Sequence, residues 1–312
     1  MDSIKDYSFA SLELNHLTDL IYLYKKVFGI LYSKEQMKAK YFNEYTGIRA
    51  QGYFAFHQGK AVAFHGAIPV YVSQGGKIEL SAQFGDAMTL KKHTGKGLFT
   101  KLGELTELKL KGLGVKFVWG FPNQNSEYAY VHKLNWMGHQ RMNCYTIPLK
   151  KITSEPLFRK SGILYQHYLK HVKSTLKPII QEKRSFSSID TMCLGGIDRS
   201  TDFYNYKSFT PNYFINLNGT TVWVKPQGGL LIGDIELSGT HAMEEIVRDL
   251  KLLAKKLKLN KIVLQASPKS SLNLRMKKLY NPINSWLIGY KNFNSSFHLE
   301  DLQFTYGDLD TF

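Results

Sequence analysis

The most constraining stretch runs from Lys77 to Phe99: an alternating strand, a glycine turn, and the start of a leucine-periodic helix. Between Lys77 and Leu90 the even positions are Ile78, Leu80, Ala82, Phe84, Asp86, Met88 and Leu90, all apolar except Asp86. The odd positions Glu79, Ser81, Gln83, Gly85, Ala87 and Thr89 are polar or small. Side chains of a strand alternate between faces, so the pattern predicts one apolar face carrying a single carboxylate. Gly85 leaves room for a bulge, which would shift that phase. The chain then turns through Lys91, Lys92, His93, Thr94, Gly95, Lys96 and Gly97. Leu98, Leu102, Leu105 and Leu108 follow at helical spacing, and Gly112 and Gly114 close the helix. Glycines in such a turn let backbone N–H groups approach an anion, and the helix N-terminus adds its dipole. The spacing is not that of a Walker loop, nor a full dinucleotide fingerprint, and an ordinary tight turn reads the same way in isolation.

The flanking sequence supplies context. Tyr7–Leu12 reads as a short strand, and Asn15 offers an N-cap for an amphipathic helix ending at Gly29. Ser33 opens a second helix expected to run to Gly47. Gly52–Phe56 and Ala61–Val72 pair as a hairpin across His57–Lys60. Beyond the leucine helix, Lys116–Phe121 is a compact apolar strand stopped by Pro122. Asn123–Ser126 caps a short helix through Leu134, and Trp136–Leu149 reads as a last strand.

Composition narrows the classes. Forty-one Lys+Arg against 25 Asp+Glu give a net charge of +16, which favours anionic partners without choosing among nucleotides, phosphorylated cofactors, nucleic acid and acidic headgroups. Two cysteines, Cys144 and Cys193, cannot make a disulfide framework or a four-thiolate zinc site. No metal-ligand grouping surrounds His241 and Asp234, so no metal is expected. No run approaches the ~20 apolar residues of a membrane span, and Met1–Asp6 has no signal-peptide pattern. The expectation is a soluble, cytoplasmic protein.

The ordered set of motifs resembles the GNAT N-acetyltransferases. Three stretches carry the likeness: Gly85–Thr89; Lys92–Phe99; and Gly120–Ser126 leading to Lys133, Leu134, Asn135 and Trp136. The family's acyl-CoA loop is Gln/Arg-x-x-Gly-x-Gly/Ala, and Lys92 stands at its first position. The resemblance implies an α/β fold with a mixed sheet, and acetyl-CoA or another acyl-CoA as co-substrate. It implies that Lys92, His93, Thr94, Gly95, Lys96, Gly97 and Leu98, with Phe99 beside them, hold the pyrophosphate by their backbone. Backbone groups near Met88 and Leu90 would pair with the pantetheine arm like an added strand, and one would polarise the thioester carbonyl. Asn125 and Ser126 would face the cofactor's other side. The amine attacks directly, so no cysteine nucleophile is needed.

The acceptor ammonium must lose a proton, and Asp86 is the first candidate base, equally readable as a buried structural carboxylate; Glu79 and His65 rank behind it. Many family members place a Tyr four residues before the Gly ending the short helix, where it protonates the departing thiolate. Asn135 takes the Gly place here, so that position holds Val131. Tyr130 is adjacent but about 100° away on an α-helix, and serves only after a local shift.

The second half reads as a worn copy. Residues 150–184 hold nine Lys/Arg and two acids around an amphipathic pattern, which suits a basic linking helix or a peripheral membrane contact. Thr220–Lys225 and Gly228–Leu237 read as strands, Met243–Leu257 as a helix, Lys261–Ala266 as a strand, Ser270–Leu279 as the short helix and Ser285–Asn292 as the last strand. Leu237–Ala242 passes from strand to helix without Gly-x-Gly. Tyr204, Tyr206 and Phe209 interleave with Lys207, a pattern that stacks on bases or forms a buried strand edge. The expected layout is a catalytic GNAT-like domain over 1–150, a basic linker over 151–184 and a degenerate GNAT-like domain over 185–312.

The leading reading is an acyl-CoA-dependent N-acyltransferase that acetylates a primary amine, with an amino-sugar nucleotide as the preferred acceptor. A second is an aminoacyl transferase using aminoacyl-tRNA on cell-wall precursors, which the charge suits and the CoA-type loop opposes. A third is a CoA-binding module without transfer, motivated by Val131. Nucleic-acid binding alone has no reader motif behind it.

Overall fold

A computed structural model describes residues 4–149, 162–182, 185–237 and 242–312. In chain order its strands are β1 (Ser8–Ser11), β2 (Gln51–His57), β3 (Lys60–Gln74), β4 (Lys77–Thr89), β5 (Phe117–Gly120), β6 (Met137–Pro148), β7 (Gly196–Ile197), β8 (Tyr213–Leu217), β9 (Thr220–Pro226), β10 (Leu230–Ile235), β11 (Lys261–Ala266) and β12 (Ile283–Asn292). The α-helices are α1 (Leu17–Phe28), α2 (Lys34–Tyr41), α3 (Leu98–Gly112), α4 (Gly162–Leu176), α5 (Thr201–Tyr206), α6 (Met243–Lys256) and α7 (Ser271–Met276). Two compact units result, neither continuous in sequence. The first holds Met1–His139, Asn205–Phe209 and Trp286–Asp301; the second holds Gln140–Tyr204, Thr210–Ser285 and Leu302–Phe312.

In the first unit β1, β2, β3 and β4 are antiparallel neighbours. β4 then pairs parallel with β5, and β5 pairs antiparallel with β12. The strand expected to finish this sheet, Trp136–Leu149, becomes β6 and pairs with β11 in the second unit. Both segments read as strands in sequence, and nothing local says which edge each will take. Helix α3 buries Leu98, Leu102, Gly103, Thr106, Glu107 and Leu110. Leu108, expected on its inner face, is exposed, because the stripe follows Leu98, Leu102, Thr106 and Leu110. Each fully buried leucine contributes about 1.5–3 kcal/mol, enough to fix the helix and the turn before it. On the other face, α1 ends at Gly29 in a left-handed conformation (φ 69°), as a C-cap requires. The capping box of Ser33 and Gln36 starts α2, which stops at Tyr41 rather than continuing to Gly47, since Phe42 leaves helical geometry (φ −116°).

The second unit repeats the strand order. β8, β9 and β10 are antiparallel, β10 is parallel to β11, and β11 is antiparallel to β6. Tyr168, Val172 and Leu176 of α4 join its core, and Tyr168 donates to the Leu257 carbonyl at 3.2 Å. The rest of the basic segment, 150–161 and 183–184, lies outside the described residues, as does the turn 238–241 with His241. Pairing of β10 with β11 stops at Ile232–Leu264. Beyond that point Leu302–Phe312 enters. Thr305 bridges Ala266, the Thr305 hydroxyl donates to the Gly233 carbonyl at 2.6 Å, and the Ser267 amide donates to the Phe304 carbonyl at 2.8 Å. The aromatic cluster expected at a strand edge lies on α5 and the turn after it, with Tyr204, Tyr206, Lys207 and Phe209 all buried. It offers no surface for stacking a base.

Candidate active site

The first unit opens a wedge between its two parallel strands. β4 and β5 pair from Ser81–Phe117 to Phe84–Gly120, and there the pairing ends while β4 continues to Thr89. Only glycine fits at the apex, since a Cβ on Gly120 would stand 2.9 Å from the Phe84 carbonyl oxygen. Pro122 follows at once and cannot extend a ladder. The register between β3 and β4 slips between Phe64–Met88 and Gly66–Gly85, so β4 carries an extra residue beside the wedge. Asp86 sits in that bulge with φ 56°, a conformation costly for any side-chain-bearing residue. The anticipated change of phase is present, and Ile78 at the strand's start is 58% exposed.

Beyond β4, Lys91–His93 form one 3-10 turn. Gly95 and Gly97 both take left-handed φ, 73° and 76°. Gly97 is the N-cap of α3 and supplies no side-chain cap, and a Cβ on Gly95 would meet nothing within 4 Å. First-turn amides without a side-chain cap, following a turn that carries Lys91, Lys92 and Lys96, suit a phosphate. His93 is held from behind by Tyr7, whose hydroxyl lies 2.9 Å from Nδ1, while Thr94 donates to the Lys91 carbonyl at 2.9 Å. Leu90 is already engaged on both sides: its amide donates to Val62 and its carbonyl accepts from His93, each at 2.8 Å. Met88 is buried opposite Phe64. The Asn123 side chain accepts from the amides of Asn125 and Ser126 at 2.9 and 3.3 Å, so these two residues form a capped turn.

The short helix after that turn is a π-helix over Ala129–Lys133. The Leu134 amide donates to Ala129 and the Trp136 amide to Tyr130, both at 3.0 Å, with Asn135 at φ 56°. A π-turn inserts one residue and rotates the preceding part by about 100°. Tyr130, five residues before Asn135, therefore takes the angular place that Val131 holds in an α-helix. Its ring packs against Phe84 at the wedge apex and Phe99 beside the glycine turn, with centroids 6.4 and 5.0 Å away. Its hydroxyl lies 2.8 Å from His65 Nε2.

Asp86 turns to the opposite face, among α1 and α2. Lys40 Nζ lies 2.6 Å from its carboxylate, Tyr41 donates to it, and Lys40 also donates to the Tyr24 hydroxyl at 3.2 Å. Burial opposes the Asp86 charge. The Lys40 ammonium and hydrogen bonds from Lys40, Tyr24 and Tyr41 outweigh it and hold the carboxyl below its ordinary range. Burial, then the Asp86 charge, raise the Tyr24 phenol well above its ordinary value. Glu79 is committed elsewhere, accepting from the hydroxyls of Ser295 and Ser296. Lys40 carries no mark in the sequence that points to Asp86, and the fold brings the two together.

Burial pushes the His65 imidazole down to about 3, against the opposing pull of Asp86. The unfolded chain protonates this histidine near 6.5 while the folded chain does not until about 3. Stability is therefore expected to fall as pH drops from 6.5 to 3, by up to about 4 kcal/mol from this group. Melting temperatures of wild type and His65→Gln between pH 7 and 4 check this. Parallel curves for the two proteins would remove His65 as the source.

Residues 9–137 match the family described as Acetyltransferase (GNAT) domain. No curated protein matches the chain in sequence. Similar solved structures include a GCN5-related N-acetyltransferase from Kribbella flavida (11% identity, TM-score 0.53, 95% of this chain and 72% of that one). A conserved protein of unknown function from Enterococcus faecalis aligns at 12% identity and TM-score 0.58, over 92% of this chain and 72% of that one. The third is a GCN5-related glucosamine N-acetyltransferase region in a fungal multi-domain β-N-acetylglucosaminidase, at 11% identity and TM-score 0.50, over 91% of this chain and 38% of that one. At such identities the likeness is one of fold. Among the described residues no helix is long and apolar enough to cross a membrane, and no group of three or more His, Cys, Asp or Glu could hold a metal.

Proposed function

With residues 9–137 matching the GNAT acetyltransferase domain family, we propose that the protein transfers an acetyl group from acetyl-CoA to a primary amine. The observation that carries this reading is the conjunction at one end of β4: a wedge, a bulge at its mouth, and a left-handed glycine turn opening α3. Acetyl-CoA brings an activated thioester, and the chain's residues do the rest. Backbone amides from Lys92 to Leu98 bind the pyrophosphate. Wedge-side backbone groups near Met88 align the pantetheine arm. A bulge amide polarises the carbonyl that becomes an oxyanion. Tyr130 gives its proton to the leaving sulfur, and Asn125 and Ser126 flank the opposite strand end. Asp86, already bound by Lys40 and Tyr41, favours fixing the bulge over removing the acceptor's proton.

The acceptor is proposed to be an amino sugar, carried as an anionic nucleotide. The +16 charge and the likeness to a glucosamine N-acetyltransferase region support this choice. The second unit is proposed to be a degenerate acetyltransferase half without its own acyl-CoA, because within that unit Leu302–Phe312 bonds to Ala266 and Gly233 just beyond the last β10–β11 pair, the position that corresponds to the wedge of the first unit. Titration calorimetry tests the reading. Acetyl-CoA is expected to bind once per chain at micromolar affinity, and Gly97→Asp to weaken binding at least 100-fold, about 2.8 kcal/mol. A carboxylate there repels phosphate and is strained at φ 76°. Absence of binding to the unaltered protein would sink the reading, and thiol release with glucosamine-type amines then addresses the acceptor.

A further inference from the structure

His65 lies on β3 at the register slip opposite the β4 bulge. Its ring is wholly buried against Phe84 and Phe99, with centroids 5.0 and 4.9 Å away. Gly103 of α3 lies beside it: a Cβ there would touch His65 Cε1 at an ordinary 3.5 Å but would clash with Leu134 Cδ1 at 2.7 Å. The two ring nitrogens are treated differently. Nε2 lies 2.8 Å from the Tyr130 oxygen, whereas Nδ1 is buried with no hydrogen-bond partner. A ring this deeply buried stays neutral, with its protonation pushed down to about 3, and so carries one N–H.

Two tautomers are available. With the proton on Nδ1, an unpaired N–H is buried and Tyr130 must spend its proton on Nε2. With the proton on Nε2, only a lone pair goes unmatched, and Nε2–H donates to the Tyr130 oxygen. An orphaned buried donor is the rarer and costlier defect. The second arrangement also directs the hydroxyl: its proton is not consumed by His65, and a donor already faces the oxygen that will become negative.

We infer that His65 is a positioning residue, held as the Nε2–H tautomer, that donates to the Tyr130 oxygen and so commits the Tyr130 proton to the wedge. The inference rests on the acetyl-transfer reading above. In that reaction the amine nitrogen bonds to the carbonyl carbon, the carbon–sulfur bond breaks, and the sulfur takes the Tyr130 proton. The phenolate left behind is held by Nε2–H until water reprotonates it, and the amine's surplus proton leaves to solvent.

The experiment has a spectroscopic arm and a kinetic one, both on the full chain. Nitrogen-15 spectra of histidine-labelled protein are expected to show His65 protonated on Nε2 and bare on Nδ1, without change from pH 8 to 5. A proton on Nδ1, or on both nitrogens, overturns the proposal. His65→Leu is expected to lower kcat roughly 10–100-fold with KM for acetyl-CoA nearly unchanged, while His65→Gln, which keeps an N–H donor, recovers most of the rate. Adding His65→Leu to Tyr130→Phe should cost nothing further. Additive losses, or an unchanged kcat in His65→Leu, overturn the positioning role. If the unaltered protein acetylates no amine yet shows Nε2–H, the transfer reading fails and His65 is only a structural partner of Tyr130.

Discussion

Arg199→Leu is expected to cost the second unit about 3–5 kcal/mol, because it strands two buried carboxylates. Arg199 is itself buried. Its Nε and Nη2 grip Asp308 at 3.1 and 2.8 Å, Nη2 also reaches the Thr305 hydroxyl at 2.7 Å, and Nη1 donates to Asp234. Asp234 further accepts from the Ser188 amide at 2.9 Å. Burial disfavours the guanidinium charge, but Asp308 and Asp234 together outweigh it and hold the cation well above its ordinary range. Leucine restores the volume and none of the charge. At about 2–4 °C per kcal/mol for a unit of this size, melting should fall by roughly 10 °C. The residues 302–312, anchored through Asp308 and Thr305, should also become open to protease. Arg199→Lys should lie between, since lysine keeps the charge and loses the fork. A melting temperature within 2 °C of wild type would contradict the assignment of this cluster as the unit's anchor.

The second large effect is expected in the first unit. Lys40→Met removes the cation from Asp86, whose side chain is 5% exposed, and is expected to cost about 3–5 kcal/mol in urea unfolding. Adding Asp86→Asn should recover much of that loss, because an amide needs no counter-charge beside Tyr24 and Tyr41. The folded carboxyl ionises below its unfolded value, so this pair's contribution is present above pH ~4 and is lost as pH falls through the lower folded value. The single variant should therefore differ least from wild type in acid. Equal losses in the single and double variants would mean that Lys40 acts by packing alone. Turnover should fall with Lys40→Met even where the protein stays folded, since the bulge at φ 56° is held by this cluster.

The parts of the site that were legible in sequence are those fixed by local stereochemistry. Gly95 and Gly97 announce left-handed backbone, Gly85 allows the bulge, and Pro122 stops β5. The leucine spacing of α3 gave the helix but misplaced one member, since Leu98, Leu102, Leu105 and Leu108 drift around a 3.6-residue turn. Tyr130 was half legible: Val131 stood where a tyrosine was wanted, and that misfit was the only trace of a π-turn, which depends on which carbonyl each amide selects. Asp86 was legible as a lone carboxylate on an apolar strand face, but which cation answers it was not, and Arg199 with Asp234 and Asp308 was not legible at all. These partners lie tens to more than a hundred residues apart, and nothing around Lys40 or Arg199 marks its charge for burial. The exchange of β6 and β12 was equally hidden, because an alternating strand carries no record of its neighbour.

That exchange has a consequence in time as well as in space. The strand that covers β5 is made only after residue 283, so about 170 residues must follow Gly120 before the first unit can close. At roughly 5–20 residues per second, translation leaves that edge bare for roughly 10–35 s. An apolar strand edge exposed that long invites pairing with a neighbouring nascent chain. A cell making this protein quickly therefore depends on its chaperones through that interval, and a message truncated near residue 150 yields a sheet with no strand to finish it.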